Sequence, residues 1–146
     1  MRGALGLEEE KITVDFLRYA LIAIRGYVRE AQVHHVAQDI VKSEQTAITF
    51  SSNLETSATA YVAIFNPEHE KWNAYPDSVR KVIEVFNLLN IKPMRPFLLA
   101  LTIKLGDKNL ARAFNFLISL GVRLLIASMT RSSSVELPLA SAANDR

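Results

Sequence analysis

Residues 108–130, KNLARAFNFLISLGVRLLIASMT, decide how the rest of the chain is read. The stretch is apolar and about as long as a bilayer span. Arg112, Asn115, Ser119 and Arg123 interrupt it, however, and the uncharged run between the two arginines covers only residues 113–122. Two arginines inside a hydrocarbon layer are costly, so the stretch predicts a core helix of a water-exposed protein rather than a membrane span. At 100° per residue, Lys108, Arg112, Asn115, Ser119, Arg123 and Thr130 fall within one narrow sector, and nearly everything else on the helix is apolar. The expectation is a helix buried on most sides that exposes one thin, basic, hydrogen-bonding stripe.

The same periodicity recurs N-terminal to this segment. Val14, Leu17, Leu21 and Ile24 predict a first helix from about Glu8 to Arg25, with Glu8, Glu9 and Glu10 in its first turn and Gly26 as its stop. Val33, Val36, Ala37, Ile40 and Val41 predict a second from about Arg29 to Lys42. A third, Glu44 to Phe65, has Ser43 as its cap and Ile48, Ser51, Leu54, Ala58, Tyr61 and Phe65 as its seam. Asn66-Pro67 ends it, and Trp72 and Tyr75 pin the connection that follows. Asp77 or Ser78 caps a fourth helix that carries Val79, Val82, Ile83, Phe86 and Leu89 and stops at Asn90. Pro93 and Pro96 bracket a rigid turn, and Pro96 opens a fifth helix through Leu105. Gly106 closes that helix, and Asp107 caps the sixth.

No segment alternates polar and apolar residues over the length of a strand. The fold class expected is therefore all-α: a compact bundle of about six helices, mostly antiparallel neighbours because the connections are short. Residues 1–131 form the helical domain, and 132–146 a short helix or loosely held tail. Phe86, Leu98, Leu101, Phe114, Leu117 and Leu124 are expected to share one core. With 49% hydrophobic and 22% charged residues, the composition argues against intrinsic disorder. The absence of cysteine excludes disulfides and thiolate chemistry. The N-terminus turns acidic at once and lacks the apolar core of a signal peptide, which favours a cytoplasmic location.

The net charge of +2 conceals a segregation. Residues 1–79 hold seven Lys/Arg against eleven Asp/Glu, whereas residues 80–131 hold nine against two, Glu84 and Asp107. A basic second half fits a polyanion or an acidic protein surface. The candidate contact residues are Arg95, Lys104, Lys108, Arg112, Arg123 and Arg131, with DNA phosphates as one partner and a protein surface or a second copy of the chain as another. The stripe also reads as a plain solvent face, or as one that pairs with Glu84 or the acidic half. His34 and His35 point about 100° apart on a helix and cannot share a metal. No nucleophile elbow, phosphate-cradling glycine loop or set of metal ligands occurs, so no catalytic residue, metal site or cofactor is expected.

Several short motifs resemble a known family. Asp15-Phe16-Leu17-Arg18-Tyr19, Val28-Arg29-Glu30, Arg95-Pro96-Phe97-Leu98-Leu99-Ala100-Leu101, and Phe116-Leu117 leading to Val122-Arg123 are similar to the helical region of the GmrSD-type restriction endonucleases. In that family, bacterial phage-defence proteins, a ParB-like domain with a DGQQR motif precedes the helices, and a His-Asn-His nuclease domain often follows. The chain has neither motif, and the resemblance spans about residues 15–131. It implies a helical scaffold that works near DNA without catalysing cleavage itself, with Arg95 and Arg123 as the matched polar positions.

Overall fold

The computed structural model of the chain describes residues 2–127 and Ser141; of these, the side chains at positions 2–9, 107, 108, 124 and 127 lie outside the description. Among the described residues six helices follow one another: α1 (Arg2–Arg25), α2 (Val33–Ile40), α3 (Glu44–Phe65), α4 (Asp77–Leu89), α5 (Arg95–Lys104) and α6 (Asp107–Ala127). Short 3-10 turns occupy Glu30–Gln32, Glu70–Ala74 and Lys92–Met94. Among the described residues there is no strand. This is an all-α bundle, as the periodicities predict. The expected 132–146 tail lies outside the described residues except for Ser141.

Helix ends follow local chemistry. The Ser43 hydroxyl accepts the Thr46 amide at 3.2 Å, while the Thr46 hydroxyl accepts the Ser43 amide at 2.9 Å. This reciprocal capping box satisfies two amides that the first turn of α3 leaves unpaired. To deliver Ser43 in its extended conformation, the chain must leave α2 early, so α2 ends at Ile40 rather than Lys42. Before α2, Arg29 is also extended, and Glu30–Gln32 form a tighter turn, so the α-helix starts at Val33 instead of Arg29. Gly26 stops α1 with φ 89°, and Asn90 stops α4 with φ 49°, both in the left-handed region. Two expected caps are displaced by one residue. Pro76 occupies the cap position of α4, with Asp77 already in the first turn. The Gly106 carbonyl accepts the Asn109 and Leu110 amides to open α6, which makes Asp107 its first helical residue. α1 begins at Arg2, six residues before the expected start, so Glu8–Glu10 lie in its interior rather than its first turn.

Tyr19, Ala20, Leu21, Ile22 and Ala23 are all buried, which encloses α1 over this stretch, with α2, α3 and α5 around the helix. One apolar cluster joins Leu21, Ile22, Val28, Val33, Phe50 and Ala100. The other joins Trp72, Ile83, Phe86, Leu98, Leu99, Phe114 and Leu117, and Leu101 packs against it, partly buried. Four of the six expected core residues are thus buried together, Leu101 sits at their margin, and the Leu124 side chain lies outside the described residues. α5 is the wall between the clusters, giving Leu98 and Leu99 to one and Ala100 to the other. Trp72 anchors the α3–α4 connection. It is fully buried, and its indole N–H donates to the Ala63 carbonyl at 2.9 Å and the Asn66 carbonyl at 3.1 Å.

The seam of α3 differs from the expected one. Phe50, Ser57, Ala60, Ala63 and Ile64 are buried, whereas Ile48, Ser51 and Ala58 face solvent. Small residues surround α3 on most of its circumference, so periodicity alone leaves several faces nearly equivalent. The choice falls to the neighbours, α1 and α5. Ser57 is tolerated inside because its hydroxyl donates to the Asn53 carbonyl at 2.7 Å.

Candidate functional site

α6 packs chiefly on α4 and α5, at an edge of the bundle. Leu110, Phe114, Leu117 and Gly121 form its buried line, spaced four, three and four residues apart. The opposite side exposes Arg112, Asn115, Ser119 and Arg123, as the wheel predicts for the described members of the stripe. The helix is not, however, buried on most sides. Phe116 is 68% exposed, Ile126 74% and Val122 38%. Among the described residues, α6 has its neighbours on one side, and apolar residues away from that line are exposed. Phe116 lies about 40° from Arg112 and about 20° from Arg123 around the helix axis. The exposed surface therefore alternates arginine with large apolar side chains instead of being a purely polar ridge.

Neither Arg95 nor Lys104 extends this face. Arg95 is half-buried at the start of α5, where its guanidinium donates to the Asn90 side-chain oxygen at 2.8 Å and lies 4.6 Å over the Phe65 ring. That is a cation–π seat, and it occupies the arginine structurally. Lys104 borders a shallow cleft with Ala23, Ile24, Asn53 and Ser57, on the α1–α3 side of α5. The Lys108 side chain, and Thr130 and Arg131 altogether, lie outside the described residues. Of the six candidates, only Arg112 and Arg123 are seen to share a surface.

The expected pairing of the stripe with acidic groups is not found among the described residues. Ion pairs there join Arg80 to Glu68 and Lys42 to Asp39, each at 3.4 Å, the His35 ring approaches Asp39 at 3.5 Å, and none of these contacts involves Arg112 or Arg123. The His34 ring lies 3.0 Å from the Gln38 side-chain nitrogen. Among the described residues no three His, Asp or Glu side chains converge as metal ligands, and no helix is long and apolar enough to cross a membrane.

A second group of polar residues, not singled out in the sequence, gathers around α1. Phe16, Tyr19 and Phe65 all pack against Tyr61, with ring centroids 5.3, 5.9 and 4.9 Å away. On one side of Asp15 is an open groove of about 400 Å³, with Ile12, Tyr61, Val62, Phe65 and Arg95 in its walls. On the other is a cleft of about 260 Å³ bordered by Lys11, Arg18, Tyr19, Glu30 and Lys92. Burial pushes the Tyr19 phenol up to about 12; the Asp15 carboxylate adds to this and the Arg95 cation opposes it. Burial also raises the Tyr61 phenol, with Asp15 again adding to the effect. The signal available in the sequence was the wheel argument used for the sixth helix. Lys11, Asp15 and Arg18 fall within about 60° of one another on α1. The structure brings this α1 segment and the start of α5, two of the motifs quoted for the resemblance, to the same groove. Comparison of the chain with protein-family models, curated proteins and solved structures finds no match.

Proposed function

We propose that the chain is a non-catalytic helical docking module whose contact surface is the outer face of α6. The occupant proposed is a partner protein that offers an apolar surface edged by carboxylates. The observation that carries this reading is the exposure of Phe116 and Ile126 beside Arg112 and Arg123, arginines with no ion-pair partner among the described residues. Large apolar side chains held in water on one face mark interaction surfaces. Aromatic residues and arginine are the types enriched at the centres of protein interfaces.

The basic excess of residues 80–131 supports a second reading, contact with DNA phosphates, and the resemblance to GmrSD-type proteins implies the same. Phosphate contact would use the two arginines and leave Phe116 and Ile126 without a role, so the protein partner is preferred.

Two double variants separate these readings. Phe116→Ser with Ile126→Ser removes the apolar component, and Arg112→Glu with Arg123→Glu reverses the charge. Binding to a labelled DNA duplex is followed across a salt titration, and association with a copurifying protein or a second copy by sedimentation. A protein complex lost in both variants, with no salt-steep DNA binding by the wild type, is the expected result. Duplex binding that falls steeply with salt and survives the serine substitutions would move the assignment to DNA.

A further inference from the structure

The cleft between α1 and the turn preceding α5 carries a separate inference, because no part of it comes from α6. Lys11, Asp15 and Arg18 reach it from one face of α1, Glu30 from the turn after α1, and Lys92 from the turn before α5. Arg18 is held in place by its Nε–H, which donates to the Val28 carbonyl at 2.9 Å. Charges of both signs thus border one small space, yet Lys11, Asp15, Glu30 and Lys92 form no ion pair with a described residue.

Tyr19 supplies an independent observation. It is only 6% exposed, and its hydroxyl has no hydrogen-bond partner among the described residues. No fully buried side-chain oxygen there lacks a partner, so this hydroxyl is not sealed in the core, and Tyr19 is among the residues that line the cleft. The raised phenol keeps its proton, which makes it a donor at neutral pH.

A purely anionic ligand would meet Asp15 and Glu30, and a purely cationic one would meet two lysines and an arginine. A ligand carrying both charges offers an opposite charge to each of Lys11, Asp15, Glu30 and Lys92. At about 260 Å³ the space is smaller than the roughly 300–1,000 Å³ typical of clefts for drug-sized molecules. We propose that this cleft binds a small zwitterion of the α-amino acid class, with its carboxylate toward Lys11, Lys92 and the Tyr19 hydroxyl and its ammonium toward Asp15 and Glu30.

Calorimetric titration of the full chain with glycine, L-alanine, L-aspartate and L-lysine tests this, with acetate and methylammonium as single-charge controls. The expected result is saturable binding of at least one amino acid, at least about tenfold tighter than either control. Tyr19→Phe, which keeps the ring, and Lys92→Gln, on an exposed side chain, are each expected to weaken that binding about threefold or more, with the thermal midpoint of the unliganded protein nearly unchanged. The proposal is overturned if no amino acid binds saturably up to about 10 mM, a range that covers millimolar affinity. It is equally overturned if acetate or methylammonium binds as tightly as the amino acids, or if neither substitution weakens binding.

Discussion

Replacing Gly121 by alanine tests where α6 is seated. In a solvent-exposed helix the change stabilises by about 1 kcal/mol, because glycine is the poorer helix former by that amount. Here an added Cβ would stand 3.0 Å from Ile91 Cδ1, 3.2 Å from Met94 Sδ and 3.4 Å from Phe86 Cε1. Carbon contacts are most favourable at about 3.5–4.0 Å, so the nearest neighbour must retreat by roughly half an ångström. All three are ends of adaptable side chains, but each is buried in the larger apolar cluster and can retreat only against other packed atoms. Overpacking of this kind costs about 1–3 kcal/mol. Set against the helical gain of about 1 kcal/mol, the net expectation is neutral to about 2 kcal/mol destabilising. Urea unfolding followed by circular dichroism measures it, with an unchanged slope confirming that the two end states are comparable. A stabilisation of about 1 kcal/mol would mean open space at this position and refute the seating of α6 on Phe86, Ile91 and Met94.

Leu117→Ala, at a fully buried position of the same helix, is expected to cost about 2–5 kcal/mol in the same assay; a loss under about 0.5 kcal/mol would place the side chain outside the core. Ser43→Ala removes one half of the capping box and should cost about 1 kcal/mol, with Ser43→Gly nearer to wild type because glycine is a tolerated cap. Tyr19 gives a pH dependence. Its folded-state value of about 12 lies above the ordinary 10, so its contribution to stability is intact below pH 10 and is lost as the pH rises through about 12. Tyr19→Phe should therefore flatten the fall of the thermal midpoint between pH 10 and 12; an unaltered slope would mean that this phenol titrates normally.

The parts of the fold legible in the sequence are those fixed by single residues with local consequences. Gly26 and Asn90 end helices because each takes a left-handed backbone conformation, and Ser43 starts one because its hydroxyl reaches an otherwise unpaired amide. Such chemistry needs no knowledge of neighbours. The face that a helix buries does require it. α3 is rich in alanine, serine and threonine, and its expected seam and its observed one differ by a rotation that only α1 and α5 decide. α6 is the converse case. Phe116, Val122 and Ile126 read as core because they are apolar, but an edge helix with support from one side cannot cover them.

The same limit explains why the two candidate surfaces were unequally visible. Arg112, Asn115, Ser119 and Arg123 come from one helix, so a wheel suffices to align them. The cleft beside Tyr19 joins α1 to Glu30 and Lys92, residues brought together by the packing of α1 against α5, and no local periodicity links them. Its α1 contribution alone, Lys11, Asp15 and Arg18, shares one sector of its helix, as the polar residues of α6 do. The sequence difference between the two helices lies in burial. Tyr19 lies in the buried stretch of α1, residues 19–23, where a polar group persists only if a cleft or a partner satisfies it, whereas α6 carries its arginines on an open side. A polar residue on an enclosed helix thus constrains the fold more strongly than one on an edge helix. That is the physical reason to probe Tyr19 and its neighbours with small ligands, and α6 with macromolecules.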